Sequence, residues 1–121
     1  MNKGEINKRK LGKYGEEKAV EYLEKRGYEI LARNFRSPRG EIDIIARDKQ
    51  YIVFIEVKLR RSLAYGYPQA AVDYRKQVKI RQLAEYFLLK NGLKAEFIRF
   101  DVISIVIEAG KAKLQHFKNA F

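Results

Sequence analysis

The stretch GEIDIIARDKQYIVFIEVKLRR, residues 40–61, decides the fold of this chain. Two apolar runs flank a short turn at about 48–49, a pattern that predicts a buried antiparallel hairpin. The first run is interrupted by Asp43, and the second by Glu56 and Lys58. Because burying an unpaired charge is costly, these three side chains need partners. The partners of these three side chains determine what chemistry the hairpin can support.

The remaining elements extend from the hairpin in both directions. Apolar periodicity and turn residues predict a helix at 11–26, a strand at 28–35, hairpin strands at 41–47 and 51–60, a helix at about 69–90, and strands at 97–107 and 112–117. The helix between the second hairpin strand and the strand that follows it would make these two strands parallel neighbours. The order α-β-β-β-α-β-β therefore predicts an α/β fold, with helices flanking a mixed central sheet.

Length and composition indicate one domain. The chain has 121 residues, which we divide into a basic flexible tail at 1–9 and a single domain at 10–121. No uninterrupted apolar segment approaches the roughly 20 residues of a membrane helix. The basic start of the chain also lacks the apolar stretch of a secretory signal. We therefore expect a cytoplasmic protein that does not bind a membrane.

Missing residue types exclude several kinds of chemistry. The chain has no Cys and a single His, His116, so cysteine nucleophiles, disulfides and multi-histidine metal sites are excluded. The chemistry that remains must rest on carboxylates, Lys, Arg and Tyr, with or without a hard metal ion.

The net charge points to a polyanionic partner. Lys and Arg number 26 against 15 Asp and Glu, which gives +11. Such an excess favours nucleic acid, because contacts with phosphates release counterions whatever the base sequence. The alternatives are an anionic membrane or another acidic partner, and a basic surface that serves only solubility.

Strand alternation predicts that the three charged hairpin residues share one face. With a short turn, Asp43 lies opposite Phe54 or Glu56, on the face that also carries Lys58. Two carboxylates in an apolar setting repel each other unless a cation lies between them. Mg²⁺ or Mn²⁺, held by Asp43, Glu56 and the carbonyl oxygen of Val57, would meet that need.

Lys58 completes a site that could hydrolyse a phosphodiester. Its ammonium could orient an attacking water or stabilise the charge that grows on an attacked phosphate. The alternative is that Asp43, Glu56 and Lys58 are solvated residues on a polar sheet face, where Glu56 and Lys58 form a weak ion pair.

Two helical residues extend this site. Glu16 falls within the apolar stripe formed by Ala19, Val20 and Leu23, so it could be a third carboxylate at the metal. The alternative is an inward-facing Glu that pairs with an Arg or Lys. Gln77 lies at the edge of the apolar face of the second helix and either reaches the site or bounds the core.

The order and spacing of these residues resemble the bacterial YraN family over about residues 12–107. The segments that carry the resemblance are GKYGEEKAVEYLEKRGYEILARNFRSPRGEIDIIA, IVFIEVKLRR, YGYPQAAVDYRKQVKIRQLAEYF and IRFDVISI. The GEID and EVK segments are its specific parts. A weaker similarity extends to archaeal Holliday-junction resolvases. The resemblance implies a restriction-endonuclease-like core of the PD-(D/E)XK type, although Ile42 stands where that motif has Pro.

The resemblance also implies a role for each matching residue. It makes Glu16 the helix acid, Asp43 the metal-binding Asp, Glu56 and Lys58 the Glu-x-Lys pair, and Gln77 an accessory residue. Asp101, beside Arg99 in the segment RFDV, is expected to form a structural ion pair.

Basic residues on both sides of the site predict contacts with phosphates rather than bases. Those we assign to nucleic-acid binding are Arg36, Arg39, Arg60, Arg61, Lys76 and Lys79. Tyr65 and Tyr67 could stack on an unpaired base. The hypothesis is a Mg²⁺-dependent endonuclease acting on DNA, with branched or damaged DNA as the candidate substrates. The alternatives are a non-catalytic nucleic-acid-binding module or an adaptor that keeps the fold. A homodimer is an open expectation.

Overall fold

The computed structural model describes residues 8–61, 71–94 and 97–121. Its elements are α1 (Lys8–Lys25), β1 (Glu29–Ser37), β2 (Gly40–Asp48), β3 (Tyr51–Arg60), α2 (Tyr74–Lys90), β4 (Phe97–Glu108) and β5 (Lys111–Phe117). The predicted order is confirmed, and α1 begins at Lys8, so it includes the last two residues of the predicted flexible tail.

One five-stranded sheet with the order β1-β2-β3-β4-β5 forms the centre of the molecule. Strands β1, β2 and β3 form an antiparallel meander, and β4 pairs with β5 in the same way. Strand β3 runs parallel to β4, as the intervening helix predicted. The sheet is therefore mixed, and β3, which carries Glu56 and Lys58, is its central strand.

Each face of the sheet has its own apolar core. Helix α1 covers one face through Ala19, Val20 and Leu23, which pack with residues such as Ile44 and Ile55. Helix α2 covers the other face, where its buried residues pack against a set that includes Phe54 and Phe100. Because both faces are covered, the alternative of a polar, solvated sheet face is wrong.

The alternation of β2 breaks at Asp43, and this corrects the predicted faces. Ile42 and Ile45 both belong to the core on the α2 side, although they are three residues apart. Pairing of β2 with β3 begins at Ile44 and Ile55, so Asp43 lies just beyond that ladder. Opposite it on β1, Asn34 adopts a left-handed backbone with φ 52°. The irregularity moves Ile42 to the α2 side and turns Asp43 towards α1.

Helix α2 begins later than the sequence pattern predicted. Asp73 caps it by accepting hydrogen bonds from the N–H groups of Arg75 (2.8 Å) and Lys76 (3.4 Å). Residues 71–73 are therefore outside the helix, so the prediction that the helix includes them was wrong. The predicted helix residues 69–70, together with Tyr65 and Tyr67, lie outside the described residues.

A buried polar network joins β4 and β5 to the end of α1. Asp101 has no exposed surface and accepts hydrogen bonds from the Arg99 guanidinium (2.9 Å) and from the Asn119 N–H (3.1 Å), while its Oδ2 lies 2.7 Å from His116 Nε2. Arg99 also donates to the Tyr28 hydroxyl (2.6 Å) and to Asp48 (3.1 Å). The expected Arg99–Asp101 ion pair is confirmed.

This network sets the charge of Asp101. Burial alone would raise the pKa of Asp101, but the hydrogen bonds with His116, Arg99 and the Asn119 N–H outweigh it, so the pKa lies below its ordinary value. The carboxylate is therefore ionised and fully paired inside the protein, where its role is to hold β4, β5 and Tyr28 together.

Of the helices in the described ranges, none combines the length and the apolar character needed to cross a membrane.

Candidate functional site

The Asp43 carboxylate forms a hydrogen bond with the backbone of β3, the central strand. Its Oδ2 accepts a hydrogen bond from the N–H of Val57 (2.8 Å), the residue that directly follows Glu56. Burial and the charge of Glu56 raise the pKa of Asp43 to about 7, although the Val57 N–H opposes this shift. Asp43 and Glu56 are therefore close enough to repel each other, and this repulsion would be relieved by a cation.

Glu56 lies on the α2 side of β3, where it already has a cationic partner. Its side chain is 9% exposed and pairs with the ammonium group of Lys76, which is itself half-exposed. The alternative pairing of Glu56 with Lys58 is not what the structure shows. A lysine thus neutralises the acid that the sequence assigned to a metal ion.

Lys58 and Gln77 both bind backbone carbonyls near the start of α2. Lys58 donates to the carbonyl oxygen of Ala71, and Gln77 donates to that of Val72 (2.8 Å). Burial lowers the pKa of Lys58, as do the charges of Lys76 and Arg60, whereas Glu56 opposes the shift. Both side chains lie near the Glu56–Lys76 pair, but their contacts connect β3 with the segment before α2.

Glu16 is buried on the predicted apolar stripe of α1 and faces β1. Its Oε1 accepts hydrogen bonds from Arg33 (3.0 Å) and from the Asn34 side-chain amide (2.9 Å). This is the expected alternative of an inward-facing Glu paired with a basic residue. Glu16 nevertheless lines the same cavity of about 410 Å³ as Asp43 and Val57.

The hairpin thus brings the predicted residues to one end of β3 but on different sides of it. Asp43 and Glu16 line the cavity beside α1, whereas Glu56, Lys58 and Gln77 have their partners near α2. Within the described part of the chain, no three Asp, Glu, His or Cys side chains are grouped so as to hold a metal ion. A metal between Asp43 and Glu56 would therefore rest on these two carboxylates, on a backbone carbonyl and on water, a set that fits Mg²⁺.

Three of the six predicted phosphate contacts line a groove beside α2, here called the basic groove. Its lining includes Arg39, Glu41, Arg75, Lys76 and Lys79. Arg36 lies next to it and forms an ion pair with Glu41 (2.7 Å). Arg60 ends β3 and Arg61 follows it, on the far side of Glu56 from the hairpin turn. The basic groove passes Lys76 and so reaches the candidate site.

Asn34 is a site residue that the sequence reasoning missed. It donates to Glu16, and its positive φ accompanies the break in β2 that turns Asp43 towards α1. The available signal was its residue type, because Asn tolerates the left-handed region better than most residues.

Relatives of this chain cover nearly its whole length. A protein of Caldicellulosiruptor saccharolyticus named "UPF0102 protein" is 50% identical over 118 residues, which is 96% of this chain and all of the relative. Another from Persephonella marina is 52% identical over 91% of each chain. A third, from Acetivibrio thermocellus, is 53% identical over 84% of this chain and 79% of its own.

The model of the family described as "Uncharacterised protein family UPF0102" matches residues 15–105. This range contains the hairpin, both sides of the candidate site and helix α2. The expected resemblance to the YraN family is confirmed, and the chain belongs to the UPF0102 family.

Proposed function

We propose that this protein is a Mg²⁺-dependent endonuclease that hydrolyses phosphodiester bonds in DNA. The observation that carries the proposal is the hydrogen bond from the Val57 N–H to Asp43, which brings Asp43 to the strand position next to Glu56. Asp43, on the α1 side of β3, and Glu56 and Lys58, on its α2 side, then flank the same end of this strand, beside the basic groove that Lys76 lines. The restriction-endonuclease-like core implied by the resemblance to the YraN family supports the same function.

The proposed metal ligands are Asp43, Glu56 and the carbonyl oxygen of Val57. When bound, Mg²⁺ or Mn²⁺ would neutralise both carboxylates and act as a Lewis acid towards a phosphate oxygen. The raised pKa of Asp43 supports this assignment, because a cation at that point would stabilise the ionised carboxylate.

Lys58 and Lys76 have complementary roles in this proposal. Lys58 leaves the Ala71 carbonyl and donates to the attacked phosphate, where its positive charge offsets the charge that develops there. Lys76 releases Glu56 and moves to a phosphate in the basic groove. Glu16 and Gln77 position their neighbours, through Arg33 and through the Val72 carbonyl respectively.

A second candidate function is a non-catalytic module or adaptor that binds nucleic acid. A specific observation favours it: Glu56 is already paired with Lys76, and Glu16 with Arg33, so these two acids have partners without a metal. In that case the basic groove would bind phosphates and the hairpin acids would serve only the fold.

Incubation of the purified protein with plasmid and with synthetic junction DNA separates the two functions. Each substrate is tested with Mg²⁺, with Mn²⁺ and with EDTA, beside the Asp43→Asn variant. We expect cleavage that needs the metal and Asp43. Cleavage that persists in EDTA or in the variant would contradict the metal mechanism, and binding without cleavage of any substrate would favour the module.

Removing the ammonium group of Lys76, which pairs with the Glu56 carboxylate, should strengthen metal binding. We expect Lys76→Met to raise the affinity for Mn²⁺ about tenfold, because the ammonium competes with the ion for the same carboxylate. Isothermal titration calorimetry gives the affinity. Lys79→Met is the matched control, since Lys79 lines the same groove but is one turn further along α2. If Lys76→Met and the parent protein bind Mn²⁺ with equal affinity, Lys76 does not compete with a metal ion for Glu56.

A further inference from the structure

A second groove continues the basic groove towards the end of α2. Here called the Tyr86 groove, it has a volume of about 500 Å³ and lies between the β1–β2 turn and the helix; its lining includes Arg36, Arg39, Gln82, Leu83, Tyr86 and Lys90. Arg39 and Leu83 line both grooves, so the two adjoin. A chain bound near Lys76 could therefore pass along α2 into the Tyr86 groove.

The charge of the two grooves suits a phosphate backbone. Their linings hold six cations, Arg36, Arg39, Arg75, Lys76, Lys79 and Lys90, against two acids. Glu41 pairs with Arg36 and Asp73 caps α2, so the two linings together keep an excess of four positive charges. The Tyr86 groove itself has three basic side chains and no acid in its lining. The lining of the Tyr86 groove therefore suits an anion of extended shape.

Tyr86 gives the groove a surface on which a base can stack. The ring is half-exposed, although its neighbour Phe35 packs against it with ring centroids 6.0 Å apart. The ammonium of Lys90 lies over the ring, 5.9 Å from its centroid, and a base that stacks there would displace it towards the phosphates. An aromatic ring flanked by cations in a concave site is typical of sites for unpaired bases, because each base presents a flat face that a duplex keeps stacked internally. Gln82 adds an amide that can hydrogen-bond a base edge.

We propose that the Tyr86 groove binds an unpaired nucleotide from a single-stranded segment of the nucleic acid. Its base stacks on Tyr86, and its phosphates contact Arg36, Arg39 and Lys90. This inference rests on the proposed function, since it names the form of DNA that the site would take.

The position of the groove predicts a structure-selective enzyme. Tyr86 is ten residues after Lys76 on the same helix, which at about 1.5 Å per residue places it about 15 Å further along the axis. A duplex bound at the candidate site would have to open within several base pairs for an unpaired base to reach Tyr86. The preferred substrate is therefore a duplex with a single-stranded arm, such as a tail or a flap.

Fluorescence anisotropy in EDTA tests this proposal without any cleavage. The probes are a blunt DNA duplex and the same duplex with a single-stranded oligothymidine tail. Tyr86→Leu keeps an apolar contact with Phe35 but loses the aromatic face, Tyr86→Phe keeps that face, and Tyr74→Leu is a matched control at an exposed tyrosine of α2 outside both grooves. We expect Tyr86→Leu to weaken binding of the tailed duplex about tenfold. Binding of the blunt duplex should be unchanged, as should both duplexes with Tyr86→Phe and Tyr74→Leu.

Two outcomes would overturn the inference: equal binding of the tailed duplex by Tyr86→Leu and the parent protein, or an equal loss on the tailed and blunt duplexes. Failure of the proposed function looks different. If the protein binds the tailed duplex through Tyr86 but does not cleave it with Mg²⁺, the Tyr86 groove is supported and the endonuclease function is contradicted. If the protein cleaves DNA but binds the tailed and blunt duplexes equally, the endonuclease function is supported and the Tyr86 groove is contradicted.

Discussion

The Asp43→Asn variant is expected to lose Mn²⁺ binding and DNA cleavage while becoming more stable than the parent protein without metal. The loss follows because Asn provides a neutral oxygen where the proposed ion needs a carboxylate. We expect cleavage to fall at least about a hundredfold, the order of effect seen when a group that stabilises a transition state is removed. Calorimetry for Mn²⁺ and the plasmid assay measure the two losses.

The gain in stability has a defined pH dependence. The pKa of Asp43 is about 7 in the folded protein, above its ordinary value of 3.8, so the folded state binds the proton more tightly than the unfolded state. Its contribution to stability is complete below about pH 4 and is lost as the pH rises through 7. Asn stays neutral and can still accept a hydrogen bond from the Val57 N–H. We therefore expect the free energy of unfolding of the variant to rise by on the order of 2 kcal/mol at pH 8 and to change little at pH 4.

Urea denaturation at several pH values measures this gain. Asp73→Asn is a suitable control, since it makes the same chemical change at a position where Asn caps a helix as well as Asp does. If Asp43→Asn is as stable as the parent protein at both pH values, Asp43 does not experience the repulsion from Glu56 described above.

The second large effect concerns the buried network rather than the site. We expect Asp101→Asn to destabilise the protein by about 3–5 kcal/mol, because it leaves the buried Arg99 charge without its main partner. For a chain of this length that corresponds to a fall in Tm of roughly 10–20 °C. Thermal denaturation at neutral pH measures the shift.

Asp48→Asn provides the comparison for Asp101. Asp48 pairs with the same Arg99, but its side chain is 20% exposed, so we expect a smaller loss, of about 1 kcal/mol. The pKa of Asp101 lies below its ordinary value, so its contribution is present above about pH 4 and is lost as the pH falls further. A loss in Asp101→Asn no larger than that in Asp48→Asn would show that burial of the pair matters little.

Periodicity and turn residues were sufficient to predict the order of elements, and β3 has the predicted bounds. They were less reliable where a side chain competes with the pattern. The Asp73 side chain caps α2 and so fixes the helix start, whereas the apolar pattern alone extended the helix to about 69.

Sequence patterns were also insufficient to predict the contacts of the candidate site. Strict alternation put Asp43 and Glu56 on one face, but the irregular backbone at Asn34 and Asp43 turns the Asp43 side chain towards α1. The Glu56–Lys76 pair joins residues 20 apart in sequence, and no local rule predicts which of several lysines reaches a given acid. The inward position of Glu16, by contrast, followed from helical geometry alone and is confirmed.

The parallel pairing of β3 with β4 has a consequence for how the molecule folds. The β2–β3 hairpin, with Asp43 and Glu56, joins strands separated by two residues and can form early from local contacts. Strand β4 can dock only after the chain through α2 has crossed the sheet, and this closes a much longer loop. Asp43 and Glu56 are therefore expected to come together early in folding. Arg99 and Asp101, on β4, are expected to form their buried ion pairs and hydrogen bonds late, and these contacts then stabilise the complete sheet.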